Sequence, residues 1–108
     1  MAKQLRISYK GKEYTLEFTR KTVSEMERNG FIAGDIDQKP ASTIPVFFAG
    51  AFLAHHRYER KEVIGEIFEK MTNRKELISA LAEMYNEPIM ALVDEPEESE
   101  GNASWTTI

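Results

Sequence analysis

The run that most constrains this chain is IPVFFAGAFLA at residues 44–54, its longest stretch free of both charged and polar side chains. As a helix it falls far short of the ~20 residues needed to cross a bilayer. It must therefore be buried by protein. Ile44, Phe47, Phe48, Ala51 and Phe52 follow the three-four spacing of one helical stripe. The other side, Val46, Ala49, Gly50, Leu53 and Ala54, is also uncharged. Burying the large members is worth roughly 1.5 to 3 kcal/mol each, so two surfaces are expected to cover this helix. The helix is expected over 44–56, capped by Thr43, with Pro45 in its first turn where a missing amide proton costs little.

The 108 residues suit one core and are too few for two. Hydrophobic residues make up 42% and charged residues 30%, an ordinary globular balance. With no cysteine, the chain has no disulfide framework, thiolate metal ligand or cysteine nucleophile. Its N-terminal residues, MAKQLRISYK, lack the apolar core and cleavage site of a secretory signal. A cytosolic protein is expected. Of the 18 acids, Asp94, Glu95, Glu97, Glu98 and Glu100 cluster near the C-terminus, which leaves residues 1–93 with 14 bases against 13 acids. That body lacks the basic footprint of a dedicated nucleic-acid binder.

Residues 4–18 alternate as a β-hairpin. With Gly11 and Lys12 as a type II′ turn, the expected pairs are Tyr9 with Tyr14, Ile7 with Leu16 and Leu5 with Phe18, placing every large apolar residue on one face. A lone ribbon is marginal in water, so it must lie on helices. Thr19 is the expected cap of a helix over 20–29, stopped by Gly30, with Phe31 and Ile32 tucked beneath its end. GDIDQKPAST, 34–43, reads as a loop. Residues 61–71 form an amphipathic helix with Val63, Ile64, Ile67, Phe68 and Met71 on one face. Asn73 and Glu76 are spaced as a capping box for a last helix over 74–93, ended or kinked near Pro88. The fold class expected is α+β: an N-terminal hairpin packed on a small bundle of about four helices, residues 1–93 as one domain. Residues 94–108 are expected to form an acidic flexible tail that strands Trp105 in solvent.

No catalytic, cofactor-binding or metal-binding residues emerge from the motifs. His55 and His56 are sequence neighbours, about 100° apart on a helix, and the simpler reading is that they close a helix C-terminus. HHRYERK, 55–61, gathers Arg57, Arg60 and Lys61 around Tyr58, but Glu59 and Glu62 interrupt it, and three cations give only a shallow attraction to phosphate. No Walker loop, GxGxxG or GxSxG is present. An uncharged helix on both sides in so short a chain favours a protein interface. The partner-binding residues expected are Val46, Gly50 and Leu53 on the less bulky side of the central helix, which can accept an amphipathic partner helix, together with Trp105.

The order hairpin, RKTVSEMERNGF, loop, TIPVFFAGAFLAHHR, KEVIGEIFEKM and ELISALAEMYNEPIMALV resembles a small family of phage and prophage proteins from Gram-positive hosts, similar to tail assembly chaperones of long-tailed phages. The resemblance implies a non-enzymatic helper in the host bacterial cytoplasm. It would bind the helical tape-measure protein, the tail-tube protein being a second expected partner, and a homo-oligomer is expected. Neither nucleic acid, membrane, small-molecule substrate nor cofactor is implied. The alternatives are a structural virion protein of the tail or connector, and a small DNA-binding regulator using residues 61–71, against which the glutamates on that helix argue.

Overall fold

A computed structural model describes residues 4–94 and 103–107. The chain is α+β. It runs β1 (Leu5–Tyr9), β2 (Lys12–Leu16), α1 (Arg20–Arg28), the single turn α2 (Asp35–Gln38), α3 (Pro40–Gly50), α4 (Lys61–Lys70) and α5 (Arg74–Met90). The two strands form an antiparallel hairpin over the helices.

The hairpin register differs from the expected one by two residues. Leu5 pairs with Leu16, Ile7 with Tyr14 and Tyr9 with Lys12. Lys10 and Gly11 form the turn, with φ of 50° and 77°. Two consecutive positive φ values make a type I′ turn, whose twist matches that of the flanking strands. Because side chains alternate with period two, a shift of two leaves every residue on its expected face. Ile7, Tyr14 and Leu16 are buried and Arg6, Ser8 and Glu13 exposed. Phe18 falls beyond β2 and enters the core alone.

Thr19 caps α1 as expected, accepting from the Thr22 amide at 3.1 Å while Thr22 Oγ1 accepts from the Thr19 amide at 2.9 Å. Gly30, at φ 93°, takes the left-handed conformation just past the helix end. Phe31 is buried beneath it, but Ile32 is 60% exposed and does not tuck in.

The central helix starts earlier and stops earlier than expected. Pro40 opens it at the first helical position, the favoured place for a residue with fixed φ and no amide proton. Thr43, expected as the cap, lies inside the helix, where its amide bonds the Lys39 carbonyl at 3.0 Å. Pro45 is also internal, and the carbonyl four residues back belongs to exposed Ala41, where water can satisfy it. After Gly50 the chain tightens into i→i+3 turns, with Phe52 N–H donating to Ala49 O at 3.0 Å and Leu53 N–H to Gly50 O at 3.2 Å. The Ala51 carbonyl is turned to the Glu17 amide at 3.0 Å. Continuing the helix to residue 56 would forfeit that bond.

Asn73 precedes α5 in a left-handed conformation, φ 50°, and makes no side-chain cap, so the expected capping box with Glu76 is not formed. Helix α5 runs through Pro88 to Met90. Helices α1, α3 and α5 and the end of the hairpin meet in an aromatic cluster. Phe47 is sandwiched between Phe18 (centroids 5.2 Å apart, planes 14°) and Phe31 (5.7 Å, 6°), and Tyr85 lies edge-on to all three. A second group, Tyr14, Phe52, Phe48 and Phe68, carries the core from the hairpin to α4.

The tail expected at 94–108 lies partly outside the described residues, including Glu95, Glu97, Glu98 and Glu100. Residues 103–107 carry no regular secondary structure and are exposed. No helix among the described residues is long and apolar enough to cross a membrane.

Candidate functional site

Between α3 and α4 lies an apolar groove of about 390 Å³ that opens to solvent. Phe48 and Ile64, both buried, form its floor, and Val46, Ala49 and Phe68 form its walls. One feature of the sequence keeps it open: Gly65 has no side chain, and a Cβ built there would meet nothing within 4 Å. Pro45 and Val46 line the groove from α3. Lys61 and Glu69 frame the groove from α4. Eight residues apart on one helix, they are separated by about 12 Å along its axis, one cationic end and one anionic end.

Of the residues expected to bind a partner, Val46 lies in this groove and is 52% exposed. Gly50 does not. It faces α1, and a Cβ there would lie 2.4 Å from Met26 Cε and 2.5 Å from Met26 Sδ. The small-residue side of the central helix is thus closed at Gly50 by the same chain. Leu53, in the turn after α3, is half-buried against the core. Trp105 is 88% exposed and apart from all three. The structure therefore separates the four residues, and the open apolar surface is made by α3 with α4. Gly65 was the missed signal: a glycine midway along an amphipathic helix interrupts propensity at a cost of about 1 kcal/mol, which an open groove explains.

The polar groups on the opposite side fasten the hairpin to the helices. His56 Nε2 accepts from the Thr15 amide at 2.9 Å, which fixes that nitrogen as unprotonated. Burial, reinforced by the charges of His55 and Lys12, pushes the His56 pKa below its ordinary value. His55 Nε2 lies 2.7 Å from Glu17 Oε1, and that contact, with the Gln4 amide, lowers the Glu17 carboxyl. Neither histidine closes α3, which ends at Gly50. Glu59 accepts from Lys12 Nζ at 3.0 Å, the Arg60 amide at 3.0 Å and the Tyr14 hydroxyl at 2.9 Å. Together these bring its pKa down to about 2. Arg57 makes a two-pronged bond to Glu25 at 2.8 and 2.9 Å. The 55–61 segment thus spends its His56, Arg57 and Glu59 side chains on the fold, while Tyr58 stands in solvent. Among the described residues no three His, Asp or Glu side chains converge as metal ligands would.

A family model described as a domain of unknown function, DUF5055, matches residues 1–108. No curated protein matches the chain, and no solved structure does.

Proposed function

The chain belongs to the DUF5055 family, and we propose that it is a non-enzymatic tail assembly chaperone of a phage or prophage, acting in the host cytoplasm by binding the helical tape-measure protein. The observation that carries this reading is the α3–α4 groove. It is open, almost wholly apolar and bounded by one cation and one anion, the form of surface that receives one face of an amphipathic helix. A tape-measure segment would lay small and medium apolar residues at i, i+3, i+4 and i+7 over Val46, Ala49 and Phe68. Its own acid would lie near Lys61 and its base near Glu69, about two turns apart. The order of elements that resembles tail assembly chaperones supports the same reading.

The test is co-expression of the full chain with the tape-measure protein encoded beside it. Co-purification that survives moderate salt and is lost in Val46→Asp is the expected result. Absence of a complex, or an unchanged complex in that variant, would sink the proposal. A structural virion protein would instead appear in abundance when purified particles are analysed by mass spectrometry.

A further inference from the structure

The two edges of the hairpin are not equivalent. In an antiparallel pair closed by a two-residue turn, the residues flanking the turn exchange both hydrogen bonds, and alternate residues aim their amides and carbonyls outward. The register makes Tyr9, Ile7 and Leu5 the bonded positions of β1, so the backbone groups of Ser8 and Arg6 face away from β2. Thr15 on β2, and Glu17 just beyond it, have the same outward setting. Both are satisfied by the helical body, Thr15 by His56 and Glu17 by the Ala51 carbonyl. Among the described residues no hydrogen bond takes the outward groups of Arg6 and Ser8. The β2 edge is tied to the helical body at Thr15 and Glu17, with Glu13 beside the turn left over, whereas the β1 edge is open at both Arg6 and Ser8. Beside the open edge lies a groove of about 410 Å³, bounded across from Leu5 and Ile7 by Met71, Asn73 and Leu77 at the α4–α5 turn.

The same chain carries a segment that joins no sheet among the described residues. Residues 103–107, ASWTT, have no regular secondary structure, and tryptophan and threonine favour strands. With period two, Ala103, Trp105 and Thr107 fall on one side and Ser104 and Thr106 on the other. An added strand with the first set toward Leu77 would place the indole in the groove and the hydroxyls beside Ser8 and Arg6. Charge agrees with this occupant along the β1 edge, while Glu76 lies among the residues across the groove. Arg6 is exposed and joins no ion pair among the described residues, and the segment follows Glu95, Glu97, Glu98 and Glu100. Within one chain the two are apart, since Trp105 is 88% exposed and, among the described residues, β1 pairs only with β2.

We propose that the free edge of β1 is a strand-addition site occupied by residues 103–107 of a second copy, each copy lending its C-terminal segment to the other. The exchange is isologous and closes at two copies. It makes no use of the α3–α4 groove, so a bound partner helix and the dimer can coexist.

Trp105 is the sole tryptophan, which makes the full-length chain its own reporter. Over a dilution series, its emission should shift to the blue as concentration rises, in step with a doubling of mass in sedimentation, and both should reverse on dilution. Ser8→Pro removes an outward amide on an edge strand, a setting where proline is tolerated. It should abolish the shift and the doubling while leaving the far-ultraviolet circular dichroism unchanged. Amide exchange in the unmodified protein gives a reading that needs no variant: the Arg6 and Ser8 amides should slow several-fold with concentration, while those of Thr15 and Glu17 are protected throughout. Emission of a fully hydrated indole at every concentration overturns the proposal. So does a blue shift independent of concentration, which would mean that the segment folds back on its own chain. Unaltered exchange at Arg6 and Ser8 overturns it as well.

Discussion

The Thr15 amide donates to Nε2 of His56 across 2.9 Å, joining the middle of β2 to the segment that links α3 and α4. Only an unprotonated Nε2 can accept, so the joint between hairpin and helices depends on the charge state of one imidazole.

His56 has a folded-state pKa below its ordinary 6.5. Its stabilising contribution is full above pH 6.5, where the unfolded chain is also neutral at this site, and is lost as pH falls toward the folded value. Stability should therefore decline as pH is lowered through 6.5, with the hairpin loosening first. A second decline should follow below the ordinary carboxylate value of 4.5, as Glu59, Glu17, Glu25 and Glu66, all lowered, take up protons. Thermal melts across this range check both steps, and His56→Gln should flatten the first while sparing the second.

Phe47 has no solvent exposure and stacks on two other phenylalanines. Phe47→Ala should cost about 3 to 5 kcal/mol, the range for removing a buried aromatic ring. Urea denaturation would show a lower midpoint, and in a chain of modest stability the variant would be largely unfolded at 37 °C.

Gly50 and Met26 should show strong coupling. Gly50→Leu drives a side chain into Met26 and should destabilise by roughly 1 to 3 kcal/mol or more, as overpacking does. Combining it with Met26→Ala should recover part of that loss, because the two changes compete for one volume. Simple additivity in a double-mutant cycle would show that the contact is relieved elsewhere.

Gly65 predicts a variant in which stability and binding move in opposite directions. Gly65→Ala adds a methyl group in open space on a helix interior, so the melting temperature should rise by the equivalent of about 0.5 to 1 kcal/mol. Gly65→Phe should keep the fold but fill the groove and abolish partner retention in the co-purification assay.

Much of this architecture is legible in the sequence because it rests on local periodicity. Alternation from Leu5 to Phe18 assigns each side chain to its face, yet it is silent on a shift of two residues, and only the positive φ of Lys10 settles the turn. PAST resembles a loop by composition, but Pro40 at a first helical position starts α3 there. The end of that helix was set from a distance, by the Glu17 amide claiming the Ala51 carbonyl. The same limit applies to the site. Helical spacing puts Val46 and Gly50 on the same side of α3, whereas the closure of Gly50 depends on where α1 lays Met26, and the groove beside Val46 depends on α4 presenting a glycine.

The aromatic sandwich also has a temporal meaning. Phe18, Phe31 and Phe47 are all synthesised well before Tyr85, the ring that covers their edges from α5. A chain emerging from the ribosome therefore carries three unshielded phenylalanines until α5 is clear of the exit tunnel. It is open to aggregation or to rescue over that interval, and a stall placed between Phe47 and Tyr85 would hold it there.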